Sequence, residues 1–127
     1  MRVTEVVESL RRTYPGRKII LLPDKDNPKE IICEIDPAAW HPLYSVAIAV
    51  IDESEPHYDR KSKESYYVEE GRLTLFVDGE KYFLGEGDCF AVLPGQVHWA
   101  KGSPARVKVV STPGWTAENH IPVKPAK

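Results

Sequence analysis

No apolar run in this sequence approaches the ~20 residues that a membrane-spanning helix needs, so no membrane partner is expected. Clustered basic charge is also missing. Lysine and arginine are scattered and the formal charge is −2, which leaves no electrostatic footprint for nucleic acid. Cysteine occurs only at Cys33 and Cys89, far apart and without C-x-x-C spacing. Both thiols are therefore expected to be free, acting as small buried hydrophobes in a reducing cytoplasm. The opening MRVTEVVESL interleaves acids with its apolar residues, unlike a signal peptide, and the expected location is cytoplasmic. No internal repeat, low-complexity segment or helix-turn-helix pattern is present.

What remains is ordinary globular composition: 127 residues, 42% apolar and 28% charged. A chain of this size buries roughly two thirds of its unfolded surface, enough for one core without staples. One domain over 1–127 is expected, with a helix and turn over 1–16, a β-barrel over 17–112 and an irregular tail over 113–127. Val3, Val6, Val7 and Leu10 fall at i, i+3, i+4 and i+7, the stripe of a short amphipathic helix. Thr4 is placed to cap its first turn, and Tyr14-Pro15-Gly16 stops it.

From Lys18 the period becomes extended. Ile19–Leu22, Glu30–Ile35 and the doubly apolar Tyr44–Ile51 read as strands, separated by Pro- and Asp-rich turns. Leu73, Leu75 and Val77 alternate onto one face, and Asp78-Gly79 supplies the two positive-φ positions of a type I′ hairpin turn. Cys89–Leu93 and Arg106–Ser111 follow, the latter with Val107 and Val109 inward. Strands recurring every 8–12 residues, with no helix long enough for a parallel crossover, predict an all-β antiparallel sandwich or barrel. Trp115 is placed to anchor the tail, and disorder is expected in the last few residues.

The segment DESEPHYDRKSK at 52–63 reads on its own as a solvated loop. Parity argues for more. His57 and Asp59 share a face of any extended segment, and in ESYYVEE the residues Glu64, Tyr66 and Val68 share the interior face. An ionised carboxylate at 64 inside an apolar barrel is costly unless something pairs with it. A metal, a basic side chain, or a rim position in water each resolves that cost. His98 follows the tight turn Pro94-Gly95, at the mouth of the barrel, where sites are usually built.

Two spacings here resemble the paired motifs of the cupin family, G-x5-H-x-H-x3,4-E-x6-G and G-x5-P-x-G-x2-H-x3-N. His57, Glu64 and Gly71 stand in register with the first, and Gly87, Gly95 and His98 with the second. The chain departs at Asp59, where the family has a second His, at Leu93 in place of Pro, and at Gly102 in place of Asn. The resemblance covers about the middle third of the chain. It implies a jelly-roll barrel, and it favours a metal as the partner of Glu64.

With Asp59 included, His57, Asp59, Glu64 and His98 form an all-nitrogen-and-oxygen donor set for a divalent transition metal: Fe, Mn, Ni, Zn or Co. Without it, His57, Glu64 and His98 make a 2-His-1-carboxylate set with open positions, as in non-haem iron oxygenases. His41 and His120 lack such partners and are expected to be a structural and a surface residue. Two functions of different class follow. The first is a metal-dependent enzyme of oxygenase or isomerase type on a small molecule, with Tyr66 as the nearest proton donor and Trp99 and Trp115 as pocket walls. The second is a sugar-binding or other small-ligand sensor module without turnover. The family spans dioxygenases, isomerases, epimerases, decarboxylases and non-enzymatic members, so the resemblance selects no reaction. A homodimer is expected, since two N-terminal strands are placed to pair with a partner's sheet.

Overall fold

The apolar stripe at the start of the chain forms α1 (Val3–Thr13), and it lies against the outside of a sheet. Arg2, not Thr4, occupies the N-cap position, and no side chain caps the helix. Its stability therefore rests on packing. Leu10 is fully buried against Ile31, Cys33 and Ile48, with Val3, Val6 and Val7 around it. The computed structural model describes residues 1–124, so the disorder expected of the last few residues lies outside the described residues.

The strands are β1 (Ile19–Leu22), β2 (Glu30–Asp36), β3 (Ser45–Glu53), β4 (His57–Asp59), β5 (Lys63–Glu70), β6 (Leu73–Val77), β7 (Glu80–Leu84), β8 (Cys89–Val92), β9 (His98–Thr112) and β10 (His120–Pro122). They form one curled antiparallel sheet in the order β1-β2-β3-β9-β4-β10, with β5 and β6 also paired to β9, β8 to β5 and β7 to β6. The expected all-β jelly-roll barrel with a short N-terminal helix is what forms. Where a strand over Arg106–Ser111 was expected, a single β9 runs from His98 to Thr112, and it is the hub. Its first part pairs with β6, its last part with β5, and β3 lies along most of its other side. To serve two neighbours β9 must bend, and it does so at Gly102. A Cβ there would collide with the carbonyl oxygen of Ile51, so only glycine fits.

The barrel interior follows from period-two alternation. Ala49 and Ile51 from β3, Tyr66 and Val68 from β5, Leu73, Leu75 and Val77 from β6, and Val107 from β9 all point into one apolar core. Asp78 at φ 48° and Gly79 at φ 85° make the expected tight hairpin. Cys33 is buried under α1, but Cys89 is exposed. The continuous apolar run of β8 conceals an alternation in which Val92 faces in and Cys89 faces out beside Tyr67. The tail is less irregular than expected. A 3₁₀ turn at Ala117–Asn119 leads into β10, which pairs with β4 and returns His120 to the barrel mouth.

Candidate metal centre

His57 and His98 stand directly opposite each other on β4 and β9. Cross-strand partners present their side chains on one face, and their ring centroids lie 4.2 Å apart. Each ring has its Nδ1 at a backbone carbonyl two residues earlier, Glu55 O at 2.8 Å for His57 and Gln96 O at 2.9 Å for His98. Donation from Nδ1 leaves the Nε2 lone pairs directed into the barrel, which is how a protein presets imidazole as a ligand. Glu64 reaches the same spot from β5, its Oε1 lying 3.2 Å from His98 Nε2 and 3.9 Å from His57 Nε2. One ligand atom from each of His57, Glu64 and His98 lies within 4.8 Å of the others.

This geometry leaves a polar group in want of a partner. His98 Nε2 is met by Tyr66 Oη at 3.0 Å and by Glu64 Oε1 at 3.2 Å. One nitrogen cannot accept from the phenol and donate to the carboxylate at once. With His98 neutral and its proton on Nδ1, Tyr66 donates to Nε2 and the buried Glu64 Oε1 has no hydrogen-bond donor. With His98 charged, the carboxylate is satisfied and the phenol loses its acceptor. A cation between the two Nε2 atoms and Oε1 would resolve the conflict, so the residues present fit a divalent metal with nitrogen and oxygen preference.

Asp59 stands beside this group, not within it. Its Oδ1 accepts from the amides of Lys61 and Ser62 at 2.9 and 2.7 Å, closing the turn that carries the chain into β5. Its Oδ2 is buried without a partner. His120, expected at the surface, stacks on His57 with ring centroids 4.3 Å apart, and Trp115 meets its edge. Trp99 does not wall the site. It neighbours His98 along a strand and must face the other way, where it stacks on Phe76 at 4.0 Å. His41 is structural as expected, its Nε2 2.7 Å from Asp36 Oδ1.

His57 and Glu64 line one end of a cavity of about 270 Å³ bounded by β1, β2, β3, β5, β9 and the tail, with Trp115 and His120 in its wall. It also contains a residue that sequence reasoning passed over. Glu30 projects into it from β2, and burial, reinforced by the charge of Glu64, raises its pKa to about 7. Glu30 is partly accessible and lines the cavity. Burial, then the charge of His98, pulls His57 down to about 4. Burial lowers His120 as well. Burial opposes charge on both Glu64 and His98, but their mutual contact outweighs it, holding the carboxyl below its ordinary value and the imidazole above. Burial and the charges of Glu64, Glu30 and Asp59 keep Tyr66 protonated.

The cupin domain model matches residues 45–112, more than half of the chain and all of the strands from β3 to β9. The chain belongs to the cupin family. Solved cupin-fold structures resemble it over most of its length. Streptomyces Pac13 with uridine, a protein described as a nucleoside dehydratase, superposes with a TM-score of 0.76 at 14% identity, covering 90% of each chain. KdgF from Halomonas sp. gives 0.63 at 21% identity over 72% of this chain and 87% of its own. Bacillus subtilis oxalate decarboxylase, which has Mn(II) centres, gives 0.71 at 15% identity over 87% of this chain, which spans only 31% of that protein. At these identities the likeness is one of fold. No curated protein matches the sequence.

Proposed function

We propose that this cupin is a metal-dependent enzyme that moves protons on a small molecule, with His57, Glu64 and His98 holding a divalent transition metal. The observation that carries the proposal is the conflict at His98 Nε2, which cannot serve both Tyr66 Oη and the buried Glu64 Oε1, between two imidazoles whose Nδ1 atoms are already engaged. A metal bound there supplies Lewis acidity toward a substrate oxygen. The chain supplies the rest. Glu30 is a carboxyl outside the ligand group whose pKa, raised to about 7, suits both donation and acceptance near neutrality. Tyr66 stays protonated and offers its hydroxyl at the same end of the cavity. Two proton-handling groups beside a ligand set support isomerase-type chemistry over oxygen activation, for which no such pair is needed. A dehydratase among the structural neighbours is in keeping with that class.

Elemental analysis of purified protein and of His98→Ala tests the reading. A stoichiometric transition metal in the wild type, lost in the variant and restored on remetallation of the wild type alone, is the expected result. A wild type that stays metal-free after incubation with Fe(II), Mn(II), Ni(II), Zn(II) and Co(II) overturns it. One observation favours a second reading. The 3.2 Å contact between His98 and Glu64 already forms an ion pair when His98 is protonated, and a metal-free wild type would make the site an acid–base or binding cluster of His98, Glu64 and Tyr66.

A further inference from the structure

Among the described residues the cavity wall carries carboxylates and no lysine or arginine: Glu30, Glu34, Glu53, Glu55 and Glu64 line it. Of these, among the described residues, only Glu53, at the rim, pairs with a lysine or arginine, Lys101 at 3.8 Å, and both side chains are more than half exposed. Two acidic oxygens, Asp59 Oδ2 and Glu64 Oε1, are buried without hydrogen-bond donors. Among the described residues the one close imidazole contact of these carboxylates is at Glu64, whose Oε1 lies 3.2 Å from His98 Nε2 and 3.9 Å from His57 Nε2. A dication offsets two of these charges, and the remaining excess is still negative.

The other walls are apolar: Ile20, Leu22, Ile32, Ala47 and Val109, with the Trp115 indole near the tail. At about 270 Å³ the space lies at the small end of ligand cavities.

We infer that this cavity selects an uncharged or cationic small molecule, with a ring or other apolar face and hydroxyl or amine donors, and rejects carboxylates and phosphates. The assignment rests on the site proposed above, and it deepens it by naming the ligand class. An anion entering here would lose its hydration without gaining a basic partner, and it would face carboxylates at short range in a low-dielectric space. Anion-binding sites have guanidinium, ammonium or helix N-termini to meet that cost, and this wall has none. A hydroxyl or ammonium, by contrast, meets acceptors already in place. The charge of the wall, not the metal, makes the discrimination.

Fluorescence quenching of Trp115 reads this charge directly. The chain has three tryptophans, and the double variant Trp40→Phe/Trp99→Phe leaves Trp115 alone in the cavity wall. Iodide, caesium and acrylamide are compared at fixed ionic strength, each normalised to its quenching of a free tryptophan amide. The expected result is an iodide constant about fivefold or more below that of caesium, as a negative potential of more than the thermal energy requires. Glu34→Gln/Glu55→Gln, which replaces no proposed ligand or proton donor and keeps the Glu55 carbonyl at His57, should then bring the two together. Equal quenching by the two ions, or an iodide preference, overturns the inference. Should the tryptophan variant fold poorly, relaxation of the Trp115 indole proton by anionic and cationic nitroxides in the unsubstituted chain gives the same comparison. Metal content is measured separately, so a metal-free protein that still excludes iodide would sink the enzyme proposal and leave the ligand class standing.

Discussion

On the proposed function, Glu30 is the residue whose protonation matters most to the cavity. Its carboxyl titrates at about 7 when folded and at 4.5 in the reference state, because burial penalises the anion. A raised carboxyl stabilises the fold fully below pH 4.5, and that contribution is lost as the pH rises through about 7. Glu30→Gln removes the ionisation while keeping the shape. In metal-stripped protein, the wild type should lose stability relative to this variant by roughly 1.4 kcal/mol per pH unit between those values. The total reaches roughly 3 kcal/mol, less where cavity water reaches the carboxyl. Denaturant unfolding of both proteins at pH 4, 6 and 8 checks it. The opposite titration of His57 cancels in the difference, so a flat difference would count against a buried, neutral Glu30. Tyr66→Phe deletes the donor to His98 Nε2 and leaves the ring in the core, so a stability loss of about 1 kcal/mol is expected. Thermal unfolding at pH 7 measures it, and a loss near zero would mean that the phenol is not paired.

At the level of elements, β2 explains both what the sequence reveals and what it hides. Residues 30–36 read EIICEID, and the alternation is plain. Such a strand ordinarily buries its apolar face in the barrel and wets its polar face. Here α1 covers the outside of the sheet, so Ile31 and Cys33 pack outward against Leu10, and Glu30 and Glu34 turn inward to the cavity. Which face a helix covers is a tertiary fact, so the acids were invisible as site residues. Where no helix intervenes, parity alone was enough: Glu64, Tyr66 and Val68 point in as read, and so do Leu73, Leu75 and Val77. The His57, Glu64 and His98 group was legible because motif spacing stands in for three-dimensional closeness. His120 was not, since a three-residue strand carries no period, and the role of Asp59 stayed open because the backbone amides it accepts from leave no trace in side-chain sequence. The helix gives the third prediction. Leu10→Ala should cost about 2–5 kcal/mol, since the side chain is fully buried in the layer between α1 and β2. A melting temperature unchanged by the substitution would show that the helix is not docked as described.

As a whole the molecule closes most of its backbone pairing around β9 but leaves the ladder ends free. Among the described residues β1 pairs with β2 alone, so its outer edge has no neighbour. Lys18 O accepts from Glu34 N, which fixes the pairing phase and sends the amides of Ile19 and Leu21 outward. Free edges are blunted by charge, proline or bulges, or they are covered. The run Ile19–Leu22 contains none of these devices, and all four of its side chains are partly buried within the single chain. Trp40, stacked under Arg17 just before β1, is exposed at 58%, and Leu43 and Tyr44 of the same loop at 75% and 45%, a concentration of large apolar surface. We therefore expect two copies to pair through β1, each lengthening the other's sheet. Multi-angle light scattering after size exclusion should give twice the 14.3 kDa chain mass. Leu21→Pro deletes an outward amide without touching a ladder bond to β2, and it should shift the mass toward that of one chain. A wild type that elutes at the single-chain mass across the micromolar range would mean that the edge is left uncovered.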